Sequence, residues 1–231
     1  MSLLTPLLDR ITIEPSTTAT ACVIWLHGLG DSGAGFAPVV PLLNLPQNHT
    51  IRFVFPHAPV RPVTINNGWP MPAWYDILSI DIERKIDEDS LMVSVEQVNA
   101  LITREIARGI QPERIILAGF SQGGAVAYHT ALCYPQRLGG LVVLSTYIAT
   151  SQQIRKDKTA ANAKLPIWLA HGVMDDVVPY SLGEQAVLEL EQHGYEPEWH
   201  NYPIAHEVSP EELNELGHWI TQVLELKESI A

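Results

Sequence analysis

Short apolar runs recur along the chain at Ala21 to Leu26 (ACVIWL), Ile51 to Phe55 (IRFVF), Arg114 to Ala118 (RIILA), Gly140 to Leu144 (GLVVL) and Pro166 to Ala170 (PIWLA). They are nearly continuous rather than alternating, so each predicts a strand covered on both faces. Ile11 to Glu14 predicts an edge strand and Glu196 to Tyr202 a last one. Between the runs the period changes. Leu91, Val95, Val98, Ile102 and Ile106 recur at three- and four-residue steps, which predicts an amphipathic helix that Gly109 can close. Small residues from Gly124 to Ala127 predict a tightly packed helix after RIILA. A short helix through Val39, Val40 and Leu43 is expected, its ends blurred by Pro38 and Pro41. Ser181-Leu182-Gly183-Glu184 and Ser209-Pro210-Glu211-Glu212 both match a capping box, so each predicts a helix start. Strands alternating with helices imply an α/β fold with a mostly parallel central sheet and helices on both faces.

Two stretches break the pattern. Pro56 to Asp87 carries five prolines and the turn signal Asn66-Asn67-Gly68, and predicts a long loop. Its load of Trp69, Met71, Trp74, Tyr75, Ile77, Leu78 and Ile80 is unusual for a surface segment and suits the wall of a binding site. Ser151 to Lys164 is polar and reads as exposed. With no repeat, low-complexity tract or linker, residues 1–231 read as one domain.

Charge and cysteine content narrow the function classes. A formal net charge of −12 repels nucleic-acid phosphates and disfavours tight binding to anionic bilayers. Met1 to Arg10 contains Leu3, Leu4, Leu7 and Leu8 but no basic leading segment or long apolar run, so neither a signal peptide nor a stable membrane insertion is expected. Cys22 and Cys133 read as reduced, buried thiols, which points to a cytoplasmic location. Asn48-His49-Thr50 matches a glycosylation acceptor, a match without consequence in an unsecreted protein.

The candidate chemistry centres on Gly119-Phe120-Ser121-Gln122-Gly123, which lies between a predicted strand and a predicted helix. A sharp strand-to-helix turn needs glycines on either side to avoid clashes, and it displays the serine at a helix start, where free N–H groups favour negative charge. The five residues alone fit an incidental serine in a Gly-rich turn equally well. In a parallel sheet, however, reacting groups collect at the carboxyl ends of strands. Three other segments sit there: His27-Gly28-Leu29-Gly30, His171 to Asp176, and Ala205-His206-Glu207. A serine nucleophile needs a histidine base oriented by a carboxylate, and the chain order Ser, Asp, His is the one expected with a nucleophile elbow. His206 is selected as base because it follows the last strand and precedes the capped C-terminal helix. Asp175 and Asp176 compete for the carboxylate, and spacing does not separate them. The oxyanion donors are expected to be the backbone N–H of Gln122 and that of Leu29 in the early Gly-rich loop, with His27 supporting that loop.

Six segments together resemble the carboxylesterase/phospholipase family of α/β-hydrolases, which includes bacterial carboxylesterases and acyl-protein thioesterases. They are HGLGDSG at His27, FPHAPVRPVTINNGW at Phe55, PAWYDI at Pro72, GFSQGG at Gly119, HGVMDDVVP at His171 and AHEVSPEE at Ala205. The resemblance implies an α/β-hydrolase fold with Ser121 as nucleophile, Asp175 rather than Asp176 as the triad carboxylate, and His206 as base. It assigns the oxyanion hole to Leu29 and Gln122, brings Trp74, Leu78, Tyr147 and Val178 towards the acyl group, and requires no metal or organic cofactor. Asp176 replaces a common proline, and Tyr147 stands where the eukaryotic thioesterases tend to have tryptophan. The implied activity is hydrolysis of carboxylic esters with short to medium acyl chains. Acyl-protein thioesterase and lysophospholipase use the same triad, so the partners implied are a small ester or thioester, an acylated protein or a lysophospholipid. A homodimer is left open. A non-catalytic binding module on a hydrolase scaffold is the alternative of a different class.

Overall fold

The computed structural model describes residues 6–80 and 84–226. Met1 to Thr5, part of the leader reading, and positions 81–83 of the expected long loop lie outside them. The chain-order elements are β1 (Arg10–Ile13), β2 (Ala21–Leu26), α1 (Gly33–Phe36), β3 (Ile51–Pro56), β4 (Val60–Val63), β5 (Trp69–Pro72), β6 (Ile77–Ser79), β7 (Lys85–Ile86) and α2 (Glu88–Ala107). They continue as β8 (Ile115–Phe120), α3 (Gln122–Cys133), β9 (Gly140–Leu144), α4 (Ser151–Asp157), β10 (Ile167–Gly172), α5 (Tyr180–Gln192), β11 (Glu198–Tyr202) and α6 (Pro210–Val223).

Among the described residues, seven strands form the central sheet in the order β1-β3-β2-β8-β9-β10-β11. Only β1 runs antiparallel, against β3, and every other neighbouring pair is parallel. Side chains alternate across β2: Cys22, Ile24 and Leu26 enter the core shared with α2, α3 and α5, whereas Ala21, Val23 and Trp25 enter the core shared with α1 and α6. All six β2 residues are buried, which is why the run reads as continuously apolar. From β2 the chain first adds β3 on one side, and β8 then pairs with β2 on the other. The carboxyl ends of β2 and β8 therefore flank the point where strand order reverses, the usual crevice for ligands in an open α/β sheet.

Three expectations are corrected. The stretch from Pro56 to Asp87 is not a plain loop: β4 pairs with β5 and β6 with β7 in two small antiparallel ribbons. Prolines are compatible with such ribbons because each strand keeps an unpaired outer edge; Pro62 lies opposite Pro70, and Val60 opposite Pro72. Ser181 does not cap α5. The helix starts two residues earlier with Pro179 at its N-cap, and the Leu182 N–H already donates to the Pro179 carbonyl at 2.8 Å. Nor is Ser151 to Lys164 simply exposed, since it forms α4 and buries Asn162. That amide donates to the carbonyls of Tyr134 and Gln136 and accepts from the Leu138 N–H, so a polar residue fills an interior position with its groups paired. The Ser209 capping box is present with both reciprocal bonds, opening α6. Cys22 is buried, Cys133 is half-buried, and both are free thiols. No helix among the described residues is long and apolar enough to cross a membrane.

Candidate active site

The turn after β8 is sterically selected. A Cβ on Gly119 would stand 2.5 Å from the Gly123 carbonyl oxygen, and one on Gly123 would stand 2.6 Å from the carbonyl oxygens of Leu26 and His27. Any side chain at either position would force the strand and helix apart. Between them Ser121 adopts φ 52° and ψ −121°, outside the regions a non-glycine residue normally occupies. Its N–H donates to the Leu144 carbonyl at 2.9 Å, tying the turn to the end of β9.

Ser121 Oγ lies 2.9 Å from His206 Nε2, and His206 Nδ1 lies 2.7 Å from Asp175 Oδ2. The carboxylate can only accept, so Nδ1 carries the proton and Nε2 is free to accept from the serine hydroxyl. Asp175 follows β10, and its Oδ1 accepts the N–H groups of Val177 and Val178 at 2.9 and 2.8 Å. His171, the penultimate residue of β10, brings Nε2 to 3.4 Å from Asp175 Oδ2 and 2.8 Å from the Val178 carbonyl. Burial alone would raise the Asp175 pKa. Hydrogen bonds from His171, His206 and the Val178 N–H instead hold it well below the usual carboxylate range, and a positive charge formed on His206 pushes the same way. The Phe120 ring packs 4.8 Å from the His206 imidazole and restricts its rotation.

These groups open into a cavity of about 450 Å³ whose wall includes Leu29, Ile65, Tyr75, Ile77, Tyr147 and Val178. Leu29 and Gln122 both line it, as do Gly28 and Ser121. Gln122 is the first residue of α3, so its N–H has no partner within the helix. In the loop after β2, the N–H groups of Gly30 and Asp31 are committed to the carbonyls of Pro72 and Gly28, fixing the loop on either side of Leu29. At the mouth, Arg84 donates to the Val177 carbonyl and sets its guanidinium 5.1 Å from the centre of the Tyr147 ring. A second cavity of about 140 Å³ shares Arg84 and Tyr147 with the first. Among the described residues no group of three or more His, Cys, Asp or Glu side chains is placed to hold a metal ion.

Of the sequence-derived candidates, Ser121, Asp175, His206, Leu29, Gln122, Tyr147 and Val178 come together here, and two do not. Trp74 is fully buried beneath the loop after β2: its indole N–H donates to the His27 carbonyl at 2.8 Å and its ring lies 5.2 Å from the His27 ring. A buried indole needs an acceptor, and this one is found away from the cavity. Leu78 is 46 % exposed because it alternates with buried Ile77 along β6 and faces the other way. Tyr75 and Ile77, the immediate neighbours of those two residues, line the cavity instead. His171, Phe120 and Arg84 were not singled out as site residues. The position of His171 at the end of a buried strand, four residues before Asp175, was the available signal.

The model of the phospholipase/carboxylesterase family matches residues 9–224. The chain belongs to the phospholipase/carboxylesterase family. Among curated relatives, a probable carboxylesterase SOBER1-like protein of Arabidopsis thaliana is 38 % identical over 214 residues, covering 91 % of this chain and 82 % of that protein. Acyl-protein thioesterase 1 of Saccharomyces cerevisiae is 39 % identical over 215 residues, covering 89 % and 94 %. The crystal structure of Arabidopsis thaliana SOBER1 superimposes with a TM-score of 0.84 at 35 % identity, over 88 % of this chain and 99 % of that one. As a member of this family the protein has the α/β-hydrolase fold expected from its sequence.

Proposed function

We propose that this protein is a serine hydrolase that cleaves carboxylic esters of short to medium acyl chains through an acyl-enzyme. The observation that carries the reading is the hydrogen-bonded series Ser121–His206–Asp175 opening directly on a largely apolar cavity. His206 Nε2 takes the Ser121 proton as Oγ attacks the carbonyl carbon, and the N–H groups of Leu29 and Gln122 receive the oxyanion. The tetrahedral intermediate collapses, the leaving alcohol or thiol departs with the proton from His206, and the acyl group remains on Ser121. Water then attacks the acyl carbon with His206 as base, which releases the acid and returns the proton to Ser121. Asp175, held ionised by its donors, stabilises the imidazolium in both half-reactions.

A second reading, thioester hydrolysis, is supported by the relatives named acyl-protein thioesterase. Both use the same chemistry and differ in the leaving group. The free thiols of Cys22 and Cys133 suit a cytoplasmic location.

A fluorophosphonate probe is expected to label wild-type protein at Ser121, and Ser121→Ala is expected to lower turnover by about a millionfold. Unlabelled folded protein, or wild-type turnover in the alanine variant, would sink the hydrolase reading in favour of a binding module. A series of p-nitrophenyl esters graded by chain length, run beside acyl thioesters and lysophospholipids, ranks the substrates; activity confined to thioesters would overturn the ester preference.

A further inference from the structure

Each of the two N–H groups expected to hold the oxyanion belongs to a peptide unit whose carbonyl, at the opposite end, accepts a hydrogen bond from a buried side chain. The Leu29 N–H shares its peptide with the Gly28 carbonyl, which lies 2.7 Å from His27 Nδ1. The Gln122 N–H shares its peptide with the Ser121 carbonyl, which accepts from Thr146 Oγ1 at 2.6 Å. We propose that His27 and Thr146 are positioning residues that clamp these two peptides from behind and aim both N–H groups at the same point in the cavity. The inference rests on the hydrolase reading and on the assignment of Leu29 and Gln122 as donors.

The proton positions follow from the partners. The Ala58 N–H donates to His27 Nε2 at 3.0 Å, so Nε2 is unprotonated and Nδ1 must carry the hydrogen that reaches the Gly28 carbonyl. His27 is fully buried, and desolvation lowers its pKa, which keeps it in this neutral form. The Trp74 indole fixes the histidine backbone by donating to its carbonyl. Thr146, also buried, follows β9 and reaches across to the elbow. Gly124 leaves it room, since a Cβ there would stand 2.6 Å from Thr146 Cγ2.

Orientation and polarisation both follow. In a trans peptide C=O and N–H point in opposite directions within one plane, so a bond that fixes the carbonyl fixes the N–H as well. Each carbonyl also takes a backbone donor, Asp31 N–H on Gly28 and Gly124 N–H on Ser121, so the side chain supplies a second restraint on the same plane. Hydrogen bonds to a carbonyl strengthen the N–H at the other end of its peptide, which makes each a better donor to a developing negative charge. The two clamps come from separate elements, the end of β2 and the turn after β9. Neither side chain is among the residues that line the cavity, so their effect must travel through the peptides.

Isosteric pairs test this. Thr146→Val removes the hydroxyl and keeps the shape, and Thr146→Ser restores the hydroxyl. His27→Gln retains an acceptor for the Ala58 N–H but loses the donor to Gly28, whereas His27→Asn keeps an amide N–H near the Nδ1 position. Thr146→Val and His27→Gln are each expected to lower kcat on a p-nitrophenyl ester by about tenfold or more with KM little changed. They should weaken a trifluoromethyl ketone, which forms an oxyanion adduct with Ser121, by a similar factor. Thr146→Ser and His27→Asn should recover most of that loss. Wild-type kcat in folded Thr146→Val and His27→Gln, or a loss confined to KM, overturns the clamp. So does an equal loss in Thr146→Val and Thr146→Ser, which would reduce Thr146 to packing. If His27→Gln does not fold, the Thr146 pair decides. Failure of the fluorophosphonate to label wild-type protein defeats the hydrolase reading itself, whereas normal labelling with indifferent variants defeats the clamp alone.

Discussion

Ser121 carries a conformational cost that its neighbours impose. At φ 52° and ψ −121° it occupies a region that costs a non-glycine residue on the order of 1–3 kcal/mol. Glycine would relieve this and lose some of the gain to its larger unfolded-state entropy. Ser121→Gly and Ser121→Ala both lose the hydroxyl, but only glycine also loses the strain. Denaturant unfolding is therefore expected to find Ser121→Gly about 1 kcal/mol more stable than Ser121→Ala; equal midpoints would show the turn to be unstrained. At this scale the sequence reveals what is local and hides what is not. Glycine spacing exposes Ser121, because the clash that requires Gly119 and Gly123 is between near neighbours and parts of the same junction. Spacing does not distinguish Asp175 from Asp176: what separates them is that Asp175 accepts two N–H groups and meets His206, which depends on how the turn packs against a loop some thirty residues away. The same limit explains Trp74 and Tyr75, adjacent aromatics of which one lies under the loop after β2 and the other lines the cavity.

Elements were legible where burial sets a period. β2 and β9 coincide with their apolar runs, and α2 with its three- and four-residue steps. The ribbons β4–β5 and β6–β7 were not: prolines hide the strands of the first, and β6 and β7 are only 3 and 2 residues long, too short to show a period. The capping motifs differ for a related reason: Ser209 is seated at the boundary of α6, whereas Ser181 falls inside the first turn of α5. Glu212, the reciprocal partner of Ser209, is itself buried, and burial raises its pKa from 4.5 to about 7 despite the Ser209 N–H. Glu215 nearby pushes in the same direction as burial. Between those two values the folded protein keeps a proton that the unfolded chain has released, so this group's contribution to stability falls as pH rises. Glutamine keeps the capping geometry without titrating. Comparing denaturant midpoints at pH 5 and pH 8 should find a smaller decline in Glu212→Gln than in wild type; parallel declines would rule out Glu212 as their source.

Across the molecule, the site draws on strands of unequal standing. Ser121 follows β8, which is paired on both sides and almost wholly buried. Asp175 follows β10, and His206 follows β11, an edge strand paired only with β10 and largely accessible. Local opening is easiest where chain is least enclosed. Amide exchange is expected to be markedly faster at Trp199 and Asn201 than at Leu117 and Ala118, and uniform protection across the sheet would contradict this ranking. Far-ultraviolet circular dichroism follows the helices packed on the central sheet. In rising urea, turnover should therefore decline before that signal does, since release of β11 moves His206 away while the serine stays seated. Coincident curves would mean that the edge and the centre come apart together. When turnover declines first, the margin along β11 acts as a fuse: mild heat or denaturant silences the chemistry reversibly, and the protein recovers without having to refold its core.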